Sequence, residues 1–344
     1  MQAEGTELAE RVCRRELHPR CAAAHPPSPQ VKVSSSKAIY RLAAVDVFRT
    51  DAKAFHVART VSLPAARDPV MVGDAALPPL LVFNVQLPQY PAAFFGGSDG
   101  PGQSVVYYFV LPDDFDPARF ENQAALGLLA RFVANGREPD GSSTRERLKM
   151  IVRCCNSEEW AAAAPLTTTE YKLLVNYNEK PVLTRPQQHF FVGPNYLEVD
   201  MDVHSYAYLA RKAFNSFHSR LKSVVWENAF VLQGNAAEEL PEQVLGCGRI
   251  YRTDLEEARP LADFQPPGAS ALTSRAPSAL ATPAGPSGGG GGGGGVRAHP
   301  LAADAIAAVA AAEATAAQLA VAAEAGARAA AAAGPVAVAA QAGG

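Results

Sequence analysis

The segment Asn195-Tyr196-Leu197-Glu198-Val199-Asp200-Met201-Asp202-Val203-His204 decides the fold, because its side chains alternate in character. Apolar residues occupy every second position from Leu197 to Val203, and the acids Glu198, Asp200 and Asp202 occupy the positions between them. A period of two residues with one apolar face predicts a half-buried β-strand. The three carboxylates then lie together on the opposite face of that strand.

The pattern becomes helical after this strand. Tyr206, Phe217, Leu221 and Val224 recur at helical spacing and fall on one face, so a long helix is predicted over about 205–226.

The other elements are mostly strands. Strands are predicted at 39–48, 80–87, 104–111, 148–154, 170–175, 182–192, 228–233 and 244–251, and helices at 117–135 and 158–164. A loop joins the strands at 80–87 and 104–111, which predicts antiparallel pairing. The order of elements indicates an α+β fold in which an antiparallel β-sheet packs against the long helix, with a helix-grip-like arrangement as one form of it.

Composition divides the chain into three parts. Residues 1–30 are rich in charge, alanine and proline and are interpreted as a mobile leader, whereas residues 31–258 form the globular domain. Residues 259–344 are a low-complexity tail rich in proline, glycine and alanine, with an uninterrupted glycine run at Gly288–Gly295. This composition predicts a disordered or partly helical tail.

Charge and composition also argue against several functions. Thirty-one basic and thirty-four acidic side chains leave a formal net charge of −3, whereas nucleic-acid binding usually requires a basic domain or stripe. No apolar run approaches the roughly 18 residues of a transmembrane span, and the N-terminus lacks a signal peptide's apolar core. The five cysteines have neither disulfide nor zinc spacing. A cytoplasmic protein with reduced thiols, no metal and no cofactor is therefore expected.

The order of motifs resembles the C-terminal domain of the plant Enhanced Disease Resistance 2 proteins, over roughly residues 31–258. Besides the acidic strand, the resemblance rests on Leu42–Phe48, Pro79–Pro88, a Lys-Pro segment at 180–183 and Phe230–Gly234. The residues that match the family's motifs are Asn195, Tyr196, Glu198, Asp200, Asp202, Gln233, Gly234, Leu240, Pro241 and Gly246.

This resemblance implies a regulatory role in a plant or alga. Full-length family members resemble a lipid-headgroup-binding pleckstrin-homology domain and a START lipid-binding domain followed by this domain. They are associated with endomembranes and with restraint of defence-linked cell death. The resemblance supplies no catalytic role for the acids of the strand.

Four basic residues on the predicted long helix form the first candidate site. Arg211, Lys212, Arg220 and Lys222 are the only Lys, Arg, Asp or Glu residues between His204 and Trp226. A cationic helix surface attracts anionic lipid headgroups. The alternative is the ordinary solvated face of a core helix.

The acidic strand and an aromatic set form two more candidates. Successive acids lie about 6.5–7 Å apart on a strand face, which could hold a divalent metal or an acid/base pair for hydrolysis if further ligands converge there. A solvated face, or pairing with nearby basic residues, is the alternative. The residues that would line an apolar lipid pocket, or otherwise form the core, are Tyr107, Phe109, Phe191, Phe217 and Phe230.

The favoured hypothesis is a non-enzymatic lipid- or membrane-associated regulatory module, cytoplasmic and peripheral on endomembranes. Its partner would be a lipid or an anionic membrane surface. No flanking motif marks a cysteine nucleophile, and no catalytic residue is predicted. The alternatives are a metal-assisted hydrolase that uses Glu198, Asp200 and Asp202, and a protein-interaction scaffold.

Overall fold

The computed structural model describes residues 37–92, 99–163, 166–206 and 208–264. All of them fall within Met1–Ala276, one of the two units into which the chain divides. The predicted leader at 1–30, and the predicted tail from 265 onward, lie outside the described residues.

Strands outnumber α-helices among the described elements. In chain order they are Arg41–Thr50 (β1), Val70–Val72 (β2), Ala75–Leu77 (β3), Leu80–Pro88 (β4), Gly102–Val110 (β5), Leu148–Cys154 (β6), Pro181–Leu183 (β7), Gln188–Val192 (β8), Tyr196–Asp202 (β9), Val225–Leu232 (β10), Val244–Tyr251 (β11) and Arg259–Pro260 (β12). The α-helices are Gln123–Val133 (α1), Ser157–Ala163 (α2), Thr168–Tyr177 (α3) and Tyr208–Phe217 (α4). The fold is therefore α+β with few helices, as predicted.

The strands form two main sheets. The first has six strands in the order β12–β1–β5–β4–β9–β8, and the second has four in the order β11–β10–β6–β7. β4 and β5 pair antiparallel, as predicted, whereas β4 and β9 pair parallel. The parallel register sets Asn84 of β4 opposite Asp200 of β9.

The two sheets pack face to face around an aromatic core. The ring of Phe83 on β4 stacks on that of Phe230 on β10, with 3.8 Å between centroids. Tyr107 and Phe109 of β5 surround the same Phe230 ring at 5.7 and 5.8 Å. All four side chains are fully buried. At this point the second sheet therefore covers the first sheet. The helix-grip interpretation expected the long helix in that position.

The predicted helix at 205–226 is shorter than expected. α4 ends at Phe217, and residues His218–Ser223 form 3-10 turns. The predicted helix cannot continue to residue 226 because β10 begins at Val225, which pairs with β11. α4 contacts the segment that follows β4, since the Asn215 side-chain amide donates to the Tyr90 carbonyl at 3.2 Å.

The strand predicted at 170–175 is wrong, since this segment belongs to α3. A capping box starts the helix: the Thr167 hydroxyl accepts from the Glu170 N–H, and the Glu170 carboxylate accepts from the Thr167 N–H. This reciprocal pair satisfies two of the N–H groups that a helix start leaves open. The strand predicted at 182–192 is divided into β7 and β8, which belong to different sheets.

The described fold continues past residue 258, where sequence analysis placed the end of the domain. β12 pairs with β1 in parallel. Leu261 is buried against Phe48, and the ring of Phe264 lies 5.0 Å from that of Phe48.

Candidate functional site

The three acids of β9 lie inside the protein. Glu198 and Asp200 are fully buried and Asp202 is 4% exposed. Their face of the first sheet is covered by the segment 53–58, at the end of which the 3-10 turn Val57–Arg59 begins. A buried carboxylate is costly unless it is hydrogen-bonded or paired, so the partners of the acids determine what they do.

Each acid binds a different part of the segment 53–58. The Nζ of Lys53 donates to Oδ2 of Asp202 at 2.7 Å, and the N–H of His56 donates to Oδ2 of Asp200 at 2.8 Å. The two oxygens of Glu198 accept from the backbone N–H groups of the next two residues, Val57 and Ala58, at 2.7 and 3.0 Å. We call the three acids together with the segment 53–58 the acidic clamp.

Two polar side chains complete the acidic clamp. Asn84 Nδ2 donates to the carbonyl of Ala54 at 2.8 Å and to Oδ1 of Asp200 at 3.2 Å. The Ser205 hydroxyl donates to Oδ2 of Asp202 at 2.6 Å. The clamp therefore satisfies backbone groups of a buried segment that has almost no secondary structure of its own.

Glu198 and Asp200 also bind each other. Burial raises the pKa of Asp200 well above its usual range, and the charge of Glu198 and the hydrogen bond to it act in the same direction. Burial also raises the pKa of Glu198, although hydrogen bonds from Asp200, Ala58 and Val57 oppose that rise. Burial is thus the main cause of both raised pKa values, and it favours the protonated form of Asp200.

His56 links the clamp to Tyr196. The backbone of His56 is left-handed, with φ of 59°, and its Nε2 lies 2.8 Å from the Tyr196 hydroxyl oxygen. Its ring stacks on Phe191, with centroids 4.5 Å apart. Burial, and then the charge of Arg59, lower the pKa of His56 to about 4, so the ring is neutral at pH 7.

The hydrogen bonds of the three acids decide how their oxygens could meet a metal ion. Among the described residues, no group of three or more His, Cys, Asp or Glu side chains is arranged to hold a metal ion. The oxygens of Glu198 and Oδ2 of Asp200 and Asp202 already accept hydrogen bonds from the protein. The acids therefore act as ligands for the protein's own donors.

The four predicted basic residues have different surroundings. Lys212 and Lys222 are exposed, whereas Arg211 and Arg220 are half-buried. Arg220 pairs with Glu170 of α3 at 2.5 Å. Lys222 lies 3.9 Å from Asp254, and its side chain is 60% exposed. The two lysines present charge to solvent, while Arg220 connects α3 to the segment that follows α4.

The five predicted pocket residues lie in three places. Tyr107, Phe109 and Phe230 are together in the core between the sheets. Phe191 is on the other side of the first sheet, against His56, and Phe217 packs on Trp160 at 5.5 Å. The structure brings three of the five together and separates the other two from them.

The described cysteines are Cys154, Cys155 and Cys247, and no disulfide joins any two of them. Burial is the main cause that raises the pKa of both Cys154 and Cys155 to about 11. Within the described ranges, no helix reaches the length and apolarity that a membrane crossing requires.

Comparison with known proteins identifies the family. The family described as "Protein ENHANCED DISEASE RESISTANCE 2, C-terminal" matches residues 27–254, more than half of the chain. The chain belongs to this family. The Enhanced Disease Resistance 2-like protein of Arabidopsis thaliana is 28% identical over 229 residues, which cover 66% of this chain and 26% of the relative. The chain thus corresponds to about a quarter of that relative's length. No solved structure shows a significant match.

The Enhanced Disease Resistance 2 motif around residues 233–246 forms a second buried acid site. Glu239 Oε2 accepts from the N–H groups of Asn235 and Ala236 at 2.7 and 3.1 Å, and from Arg147 at 2.9 Å. Its Oε1 accepts from Arg131 of α1 at 2.6 Å. Glu239 thereby ties the turn between β10 and β11 to α1 and to the start of β6.

Other family-motif residues have packing roles or lie at the surface. A Cβ at Gly246 would lie 2.6 Å from the Phe109 ring, so this glycine lets β11 approach the core closely. At Gly234 a Cβ would lie 3.0 Å from the Glu239 carbonyl oxygen. The N–H of Gln233 donates to the Arg147 carbonyl at 2.9 Å. Leu240 and Pro241 are joined by a cis peptide bond. Asn195 is exposed.

Sequence analysis missed several residues of these sites. Asn84 stands in the segment 79–88, which predicts a strand and matches the family but gives Asn84 no role. Glu239 stands in a matched segment that likewise gives it no role. The spacing Thr167-x-x-Glu170 was the available signal for α3. No local pattern announces that segment 53–58 lies against β9, because about 140 residues separate the partners.

Proposed function

We propose that this domain is a non-enzymatic regulatory module that binds the surface of an anionic membrane, cytoplasmic and peripheral on endomembranes. Membership of the Enhanced Disease Resistance 2 family supports a regulatory role. The observation that carries the membrane part is that Lys212, Lys222 and Lys172 of α3 are all exposed. Each lysine held near an anionic bilayer contributes roughly 1 kcal/mol to binding.

These lysines belong to elements that share one small hydrophobic core. Trp160 of α2 and Val224 are buried there, and Leu174 of α3 and Phe217 of α4 pack against them. The ion pair between Arg220 and Glu170 joins the same elements. We call α2, α3, α4 and residues 218–223 the helical layer. A cationic surface on connected elements supports binding to a charged plane better than scattered lysines do.

The environment of the acids supports binding over hydrolysis. A general base or a metal ligand needs an oxygen that can reach substrate or metal. Both oxygens of Glu198 are occupied by backbone N–H groups. A thiol with a pKa of about 11, as at Cys154, is protonated at neutral pH and is a poor nucleophile.

Vesicle flotation with the full chain tests this proposal. We expect binding to vesicles of phosphatidylcholine and phosphatidylserine, no binding to phosphatidylcholine alone, and release by salt, since salt screens exposed charges. The double variant Lys212→Glu/Lys222→Glu should weaken binding by about tenfold or more.

The control variant is Arg119→Glu, which reverses a side chain that is 88% exposed before α1. If Lys212→Glu/Lys222→Glu and Arg119→Glu bind the anionic vesicles equally well, the helical-layer lysines do not form the membrane contact. Failure of the unmodified chain to bind anionic vesicles contradicts the proposal itself.

A further inference from the structure

One short stretch of the helical layer and the strand that follows it exposes apolar side chains to solvent. Tyr171 is 45% exposed, Val175 54%, Tyr177 56% and Val182 41%. These are four of the eight exposed large hydrophobic residues among those described, and all four fall within twelve positions. Single exposed hydrophobic residues are ordinary, but a cluster marks an interaction surface. We call Tyr171, Lys172, Val175, Tyr177, Lys180 and Val182 the 171–182 surface.

Contacts of three other residues attach this stretch to the rest of the domain. Leu174 packs in the small core of the helical layer, and Glu170 pairs with Arg220. The side chain of Asn178 accepts from the Cys154 N–H at 2.7 Å and donates to its carbonyl at 3.2 Å. Tyr171 and Val175 are four residues apart and so share one face of α3. The exposed side chains therefore extend from a stretch that Leu174, Glu170 and Asn178 attach to the rest of the domain.

The charge of the surface is positive. Its neighbouring acids are paired: Glu170 with Arg220, and Glu179 with Arg153 at 3.0 Å. Lys172 and Lys180 are exposed, and neither has a carboxylate within salt-bridge distance in the part of the chain that the structure describes. The Nζ of Lys180 lies 5.8 Å from the centre of the Tyr177 ring.

This chemistry fits an anionic bilayer. Tyrosine is enriched at the membrane–water interface, where its ring is apolar and its hydroxyl stays hydrated. Lysines beside it attract anionic headgroups. The buried centres of protein interfaces are depleted in lysine, and a second copy of the chain would bring two positive surfaces together.

We infer that the 171–182 surface is the membrane contact, and that Tyr171, Val175 and Tyr177 enter the headgroup region of an anionic bilayer. This inference rests on the proposed function and deepens it. Lys172 and Lys180 lie at the border of the inserted residues and bind headgroups. The exposed Lys212 and Lys222 extend the cationic area of the helical layer.

The first test removes the apolar side chains. The triple variant Tyr171→Ser/Val175→Ser/Tyr177→Ser of the full chain is floated with phosphatidylcholine–phosphatidylserine vesicles. We expect its partition to fall by about tenfold or more, because the lost apolar area no longer enters the bilayer. The matched control is Met71→Ser/Val192→Ser, which changes residues that are 57% and 69% exposed elsewhere. It should bind like the unmodified chain.

A second measurement does not depend on removing side chains. Val175→Trp places an indole on the surface, and its emission should shift to the blue on addition of the anionic vesicles, whereas Met71→Trp should not change. The chain's two natural tryptophans provide the common background.

The outcomes separate the inference from the proposed function. If the unmodified chain does not float, both fail. If it floats and the triple variant floats equally well, or if Val175→Trp shows no shift, the proposed function stands and the 171–182 surface is not the contact. If instead the triple variant abolishes self-association of the natural chain in solution, the surface binds a second copy and the membrane inference is overturned.

Discussion

The acidic clamp and the 171–182 surface depart from the usual distribution of residues in opposite directions. In the clamp, Glu198 and Asp200 are fully buried, whereas on the surface Val175 and Tyr177 are more than half exposed. The clamp carboxylates meet N–H groups and a lysine of the protein. The surface side chains are exposed, and Leu174 of α3 packs in a small core. An unusual residue whose partners lie within the fold stabilises the fold, whereas one without them is available to another molecule.

The largest expected effect is on the clamp. Glu198→Ala leaves two buried N–H groups, those of Val57 and Ala58, without acceptors. Each unsatisfied buried group costs about 1–3 kcal/mol, so we expect a loss of about 3–4 kcal/mol in the free energy of unfolding. Urea unfolding followed by tryptophan fluorescence measures it. The control is Glu238→Ala, at an exposed acid; a similar loss in both variants would contradict the clamp.

A smaller, pH-dependent effect is expected at Asp200. An acid whose pKa is raised by folding contributes stability at low pH, and that contribution is lost as the pH rises through the folded-state pKa. The raised pKa of Asp200 therefore makes the natural domain lose stability from this group as pH rises above the ordinary carboxyl range. Asp200→Asn keeps a donor toward Glu198 and an acceptor for the His56 N–H, but it does not titrate.

We expect Asp200→Asn to cost about 1 kcal/mol or less at about pH 4 and to gain stability relative to the natural protein toward about pH 8. Urea unfolding at both pH values checks the sign. Asp114→Asn, at an exposed acid, is the control and should show no such trend. A difference between Asp200→Asn and the natural protein that is the same at both pH values would contradict the raised pKa of Asp200.

The smallest effect on stability is expected at the 171–182 surface. Tyr171→Ser, Val175→Ser and Tyr177→Ser should each change the free energy of unfolding by about 0.5 kcal/mol or less, because solvent already reaches these side chains. The same urea titration measures it. A cost above about 1.5 kcal/mol for any of them would place that residue in the packing of the domain.

Local patterns predicted the strands well. The strand expected at 244–251 has those bounds in β11, and the alternation from Leu197 to Val203 corresponds to β9. Periodicity shows which side chains share a face, and it depends only on residues that are close in the sequence. The helical period after Ser205 corresponds to α4 as far as Phe217. Residues His218–Ser223 then form 3-10 turns, and β10 pairs with β6 and β11.

The environment of those faces could not be predicted in the same way. The alternation on β9 indicates two faces, but it does not indicate that segment 53–58 covers the acidic one. The strand predicted at 170–175 is instead part of α3, which begins with a capping box. The sequence places the candidate surface on the basic residues of the predicted helix at 205–226. The exposed apolar residues of the 171–182 surface lie on α3 and β7, and exposure depends on tertiary packing.

Hydrogen–deuterium exchange of the full chain, with and without phosphatidylcholine–phosphatidylserine vesicles, compares both regions in one measurement. The N–H groups of His56, Val57 and Ala58 should exchange slowly in both conditions, since carboxylates already bind them. Exchange across residues 171–182 should slow when vesicles are added. Vesicle-dependent protection at the clamp, with no change at residues 171–182, would contradict the assignment of one region to stability and the other to membrane binding.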